Sequence, residues 1–175
     1  MDDGSMTLII ALVFLVACSA FFSASETAFS SLNQIRLKSR AEDGDASAAR
    51  VLAMAEKYDK LLSTILIGNN IVNIAAASIG TILFTRALGA ERGATMSTIV
   101  LTIVVLIFGE VTPKSLAKEM PETVATAVSP MLNLLMVLFT PLTWLFSQWK
   151  RLLGHFVHST CLLYTSPSPR DRTRS

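Results

Sequence analysis

Gly109-Glu110-Val111-Thr112-Pro113-Lys114 ends the uncharged run 93–109, and the reading of the whole chain turns on it. A carboxylate at the centre of a membrane helix costs about 2.5–3.5 kcal/mol on insertion scales, so Glu110 is expected to have a partner. Pro113 follows Gly109 by four residues and has no N–H, so the Gly109 carbonyl is expected to lose its helical donor. A free carbonyl beside a carboxylate suits a hard cation. The negative end of an interrupted helix adds to that pull, as in transporters with broken helices.

Outward from this motif the chain is a membrane protein by composition. Of its 175 residues, 51% are hydrophobic and 16% charged, and the mean hydropathy is +0.53. Charge-free windows cover 7–25, 61–85, 93–109 and 123–149, and a crossing helix needs about 20 residues, or roughly 17 at the short end. The net charge of +2 is small, and no basic run alternates with aromatics, which argues against a nucleic-acid partner. Cys18 and Cys161 form no C-x-x-C and have no His cluster nearby, so disulfide and zinc chemistry have no support. Asp2 and Asp3 stand where a signal peptide would be basic, and the first apolar run exceeds an h-region, so it is read as a retained helix.

Arg36, Lys38, Arg40, Arg50, Lys57 and Lys60 crowd the segment between the first two windows, whereas residues 1–5 carry no Lys or Arg. The positive-inside rule puts that loop in the cytoplasm and the N-terminus outside. Lys114 and Lys118 follow the third window and Lys150 and Arg151 the fourth, so a fourth crossing would break the charge pattern. Pro130 and Pro141 are expected to divide 123–149 into short pieces, and Trp144 and Trp149 favour the interface. The expectation is helices lying along the inner leaflet, or a re-entrant pair, rather than a fourth span.

Within the membrane, Ser19 and Ser23 are four residues apart on one helix face, with Glu26 close to the same side. Asn69 and Asn73 repeat that spacing, and Asn70 is rotated by one residue. Together with Glu110 and the Gly109 carbonyl these give five or six oxygen donors, one formally charged. Such a set matches the octahedral demand of Mg²⁺ or the looser one of Na⁺. Plainer accounts stand beside it: serines bonding to the preceding turn, asparagines joining helices, and Glu110 pairing with Lys114 at i, i+4. Ala76 and Gly80 form a small-xxx-small pair and are read as packing. Cys18 and the methionines are read as apolar filling.

Ser19–Ala28 (SAFFSASETA), Gly68–Asn73 (GNNIVN) and Gly109–Lys114 (GEVTPK), in this order and spacing, resemble the transmembrane domain of the CNNM/CorC family, the cyclin-M-like magnesium and cobalt efflux proteins. The resemblance covers 6–153, after a short extracytoplasmic stretch 1–5. It implies an all-α membrane protein with three transmembrane helices plus a juxtamembrane helical belt, working as a homodimer in the cell's inner or plasma membrane. It also implies export of Mg²⁺, with Co²⁺ a further cargo and Na⁺ the coupling ion. The residues matching the family's ion site are Ser19, Ser23, Asn73, Gly109 through its carbonyl, and Glu110, with Asn69 the next candidate.

Members of the family continue into cytoplasmic CBS modules that bind adenine nucleotides, so nucleotide binding is expected only through modules absent from this chain. Residues 154–160 are read as the start of the linker to that region. Residues 161–171 can be back-translated into a transposon-type sequencing adapter, so 161–175 are expected to be non-native. The rival function is a membrane-anchoring and dimerisation module of a cation-sensing regulator, without transport. An enzyme is not expected, since no His or second carboxylate lies in the spans to activate Ser23, and His155 and His158 lie beyond them.

Overall fold

The computed structural model describes residues 3–145, 148 and 149. All regular structure among the described residues is helical: α1 (Asp3–Ser30), α2 (Gln34–Glu42), α3 (Ala46–Ala55), α4 (Tyr58–Leu88), α5 (Ala90–Val104), α6 (Thr112–Glu119) and α7 (Pro121–Leu138). Between α5 and α6 the helix widens into a π-turn, Val105–Val111, without stopping. The compact unit Met1–Thr140 holds all these elements; Pro141–Ser175 is a second unit, described only at 141–145, 148 and 149, which are helical. The expectations for Lys150, Arg151, His155, His158, the linker 154–160 and the tail 161–175 lie outside the described residues.

Among the described residues, four helices are long and apolar enough to cross a membrane: Gly4–Ser30, Tyr58–Leu88, Ala90–Glu119 and Pro121–Leu138. The first three form one bundle whose register is set by small residues. α1 and α4 run antiparallel. Phe22 fills the space a side chain at Gly68 would take, and Ser19 bonds to Asn69 and Asn73. α4 and α5 form a hairpin turned by Gly89 alone, at φ 85° and ψ 165°, a conformation confined to glycine. Leu101 packs on Gly80, with Ala76 and Gly80 both buried, so the small-residue pair serves packing as expected.

At one end of the bundle lies a collar of α2, α3 and α7. Asn33 caps α2 by accepting from the Arg36 N–H, and Asp45 caps α3 by accepting from the N–H groups of Ser47 and Ala48. Those backbone donors, with Arg40 at 2.6 Å, hold the Asp45 carboxyl below its ordinary range. Leu37, Val51 and Met54 join Phe22, Phe29, Leu61, Ile65, Ala117, Leu132 and Met136 in one apolar core under the collar.

α7 corrects an expectation, because it runs unbroken through Pro130. Pro130 lacks the N–H that the Thr126 carbonyl would accept, and the Ser129 hydroxyl donates to that carbonyl instead, at 3.0 Å. Ala125, Ser129, Leu132 and Met136 form its buried stripe, while Met131, Leu134, Val137 and Leu138 stay exposed. The expected loop cations find a use here. Arg40 and Arg36 lie 3.2 and 3.7 Å from Glu122 at the start of α7, and Lys60 donates to Thr140 just past its end, at 3.0 Å.

Candidate ion site

The polar cluster begins at Ser19, only 1% exposed in the middle of α1. Its hydroxyl donates to Asn73 Oδ1 at 2.9 Å and to Asn69 Oδ1 at 3.2 Å. A hydroxyl has one proton, so two carbonyl oxygens converging on it leave at least one without a full hydrogen bond. Three oxygens thus share one small volume between α1 and α4. Asn70 is excluded, since its amide donates to the Leu66 carbonyl on its own helix, and Ser25 likewise bonds back to Phe21.

Ser23, one turn along α1, is buried and its Oγ has no hydrogen-bond partner. An unpaired buried hydroxyl costs about 1–3 kcal/mol, and in most membrane helices a serine avoids this by bonding to the preceding turn. An oxygen left open beside the Ser19 cluster is one that a cation could use.

The third contribution comes from the π-turn. Gly109 is buried and lies so close to α1 that a Cβ there would sit 3.0 Å from Ser19 Oγ and 3.3 Å from Ser19 Cβ. The expected break at Pro113 is a widening instead. The Thr112 N–H reaches the Ile107 carbonyl, five residues back, and the helix resumes with Pro113 in its first turn. Shifting to i−5 spacing carries the chain past a residue with no N–H, and such π-turns recur at functional sites. The pairing weighed for Glu110 is corrected too: Lys114 pairs with Glu26 of α1, at 3.2 Å.

Glu110 is half-buried and lines a lateral groove of about 320 Å³ between α4 and α5. Asn73 lines the same groove, so the carboxylate and the asparagine amide share one space. From there the groove follows the hairpin past Leu101, Thr102 and Thr98 to Thr81 and Ser97, whose hydroxyls lie 3.4 Å apart. These four hydroxyl residues were not singled out in the sequence. Only Thr98 and Thr102 have i, i+4 spacing on α5, a pattern common in membrane helices, and Thr81 lies on α4. No group of three His, Cys, Asp or Glu residues that could hold a metal occurs among the described residues. Any cation held here relies on neutral oxygens plus one carboxylate.

Residues 10–159 match the family described as the cyclin M transmembrane N-terminal domain. Among relatives, the UPF0053 inner membrane protein YfjD of Escherichia coli K12 is 47% identical over 135 residues, covering 77% of this chain and 31% of that protein. A UPF0053 protein of Haemophilus influenzae is 40% identical over 151 residues, covering 86% of this chain and 36% of the relative. The polyamine export protein of Escherichia coli K12 is 32% identical over 151 residues, covering 79% and 34%. The chain spans about a third of the length of the curated relatives it matches.

Proposed function

This multi-pass membrane chain belongs to the cyclin M transmembrane domain family, and from that premise we propose that it exports Mg²⁺, with Co²⁺ a further cargo, against Na⁺ entering through the same oxygen site. The observation that carries the reading is the convergence of Asn69, Asn73 and Ser19 oxygens beside Gly109, with Glu110 the one carboxylate in the adjoining groove. Exporting one Mg²⁺ from a cell 100 mV negative inside moves two charges uphill at about 2.3 kcal/mol each, so a passive pore would import and export needs a coupled ion. The widened turn at Val105–Val111 is the element whose rearrangement opens the site to either side.

The architecture proposed with it is three crossings and an inner belt, with the N-terminus outside and two copies in the working assembly. α7 is roughly 27 Å long at 1.5 Å per residue, enough to cross a bilayer core only if upright. Its start is tied to Arg36 and Arg40, and Thr140 beyond its end to Lys60. All three basic residues lie in or beside the segment joining α1 to α4, on one side of the membrane, which favours a helix lying flat. Single cysteines at Ser39 and Leu138 are therefore expected to react with an impermeant thiol reagent from the same side; labelling from opposite sides would make α7 a fourth span.

A second cargo is favoured by one observation, the groove's mixture of Leu101, Val105 and Leu106 with hydroxyls and a single carboxylate. Such a lining accepts methylenes and an ammonium together, and one relative is named a polyamine export protein. Calorimetric titration of the purified full chain with Mg²⁺, repeated in excess spermine, separates the cases. Mg²⁺ binding that excess spermine leaves intact fits the first reading, and spermine binding with no Mg²⁺ binding fits the second. Neither ligand binding would leave only the anchoring role.

A further inference from the structure

The Lys114–Glu26 pair joins α1 to α6, which continues directly from the widened turn whose Gly109 meets α1 at Ser19. Glu26 follows Ser19 by seven residues on α1, and Lys114 follows Glu110 by four. At 1.5 Å per residue that is roughly 6–10 Å beyond the oxygen cluster, toward the end of the bundle that carries the collar. Ser23, with its unpaired hydroxyl, lies between the two levels on α1. Both ends of the pair keep nearly half of their side-chain surface open, 42% for Lys114 and 48% for Glu26. An exposed pair of this kind is worth little as a structural brace. It can, however, be dissolved by a competing cation.

Resting on the transporter reading above, we propose that Glu26 is the carboxylate on which the outgoing divalent cation first docks, and that Lys114 is a tethered cation latching that mouth until the ion displaces it. A divalent cation outbids one ammonium for a carboxylate through its second charge, whereas Na⁺ has no such advantage, so the latch opens to cargo and not to the coupling ion. Displaced, the Lys114 ammonium stays one helical turn from Glu110 on the same face. Glu26 meets the ion in transit and Lys114 acts through Glu26, while the ligands of the held ion remain those of the cluster.

The two residues then have opposite signatures in full-chain liposomes loaded with Mg²⁺. Glu26→Gln removes the docking charge and is expected to raise KM for Mg²⁺ about tenfold with kcat held. Lys114→Met removes the competitor, lowering KM several-fold and raising Na⁺-independent leak, while Lys114→Arg restores wild-type behaviour. KM shifts of the same sign, or none, would overturn the latch, since a merely structural pair predicts parallel losses. A second readout does not need transport. Spin labels at Thr27→Cys and Ser115→Cys are expected to move apart when millimolar Mg²⁺ is added and to be apart already in Lys114→Met. An unchanged separation alongside flux that Glu110→Gln still abolishes rejects the latch alone. A responsive separation without flux rejects the transport reading alone.

Discussion

Glu110→Gln is expected to abolish Mg²⁺ flux in liposomes and to weaken Mg²⁺ binding at least 100-fold, while leaving assembly and melting temperature near those of the parent. The substitution keeps the side chain's size and one carbonyl oxygen, so the groove it lines with Asn73 and Thr102 keeps its shape. What disappears is the one formal charge there. At 4 Å and an effective dielectric near 20, each unit charge pair is worth about 4 kcal/mol, and a divalent ion doubles that. A neutral hydrogen-bonding group contributes about 1 kcal/mol. On those magnitudes Glu110 outweighs any single serine or asparagine: Ser19→Ala should weaken binding roughly tenfold, because it takes one oxygen out of the cluster that Ser19 forms with Asn69 and Asn73. Melting should not fall, because among the described residues no hydrogen bond or ion pair holds the Glu110 side chain. Undiminished flux in Glu110→Gln would remove the proposed ligand and the export reading with it.

How far the sequence foretold this site depends on what kind of geometry each residue needs. Ser19, Asn69 and Asn73 were legible because helical spacing alone puts 69 and 73 on one face, and uncharged windows leave few other uses for such groups. Asn70 was separable by the same rule, and it does bond away from the cluster. Pro113 was misread in its consequence, since a missing N–H fixes which hydrogen bond is lost but not whether the chain stops or widens. The chain widens there with Gly109 packed against Ser19, a tertiary contact with no local signature. Pro130 shows the same limit, because a neighbouring hydroxyl took over the carbonyl it orphaned. Lys114 had two carboxylates within reach, and only the side-by-side packing of α1 and α6 selects Glu26 over Glu110.

The groove itself depends on Gly93, and Gly93→Ala should be the most damaging small substitution in the bundle. A Cβ there would lie 2.5 Å from Thr85 Cα, 2.7 Å from Thr85 N and 2.8 Å from the Phe84 carbonyl carbon, all backbone atoms. At Gly80 the overlap, with Leu101 Cδ1, is nominally worse, but a leucine end can rotate away. Backbone cannot, and Gly93 stands four residues past the one-residue turn at Gly89, where the hairpin has no slack. Room for the methyl must come from prising α4 and α5 apart, which disturbs the Thr81–Ser97 contact and widens the groove above Glu110. Overpacking of this kind costs about 1–3 kcal/mol and should sit at the upper end here. For a chain of this size that lowers the melting temperature by about 6–12 °C. The two sites should also differ in rescue. Leu101→Ala is expected to restore Gly80→Ala, whereas Thr85→Ala should do nothing for Gly93→Ala, because its obstacle is main chain. Rescue of Gly93→Ala by trimming Thr85 would mean that side chains, and not the turn, set the spacing of the two helices that line the groove.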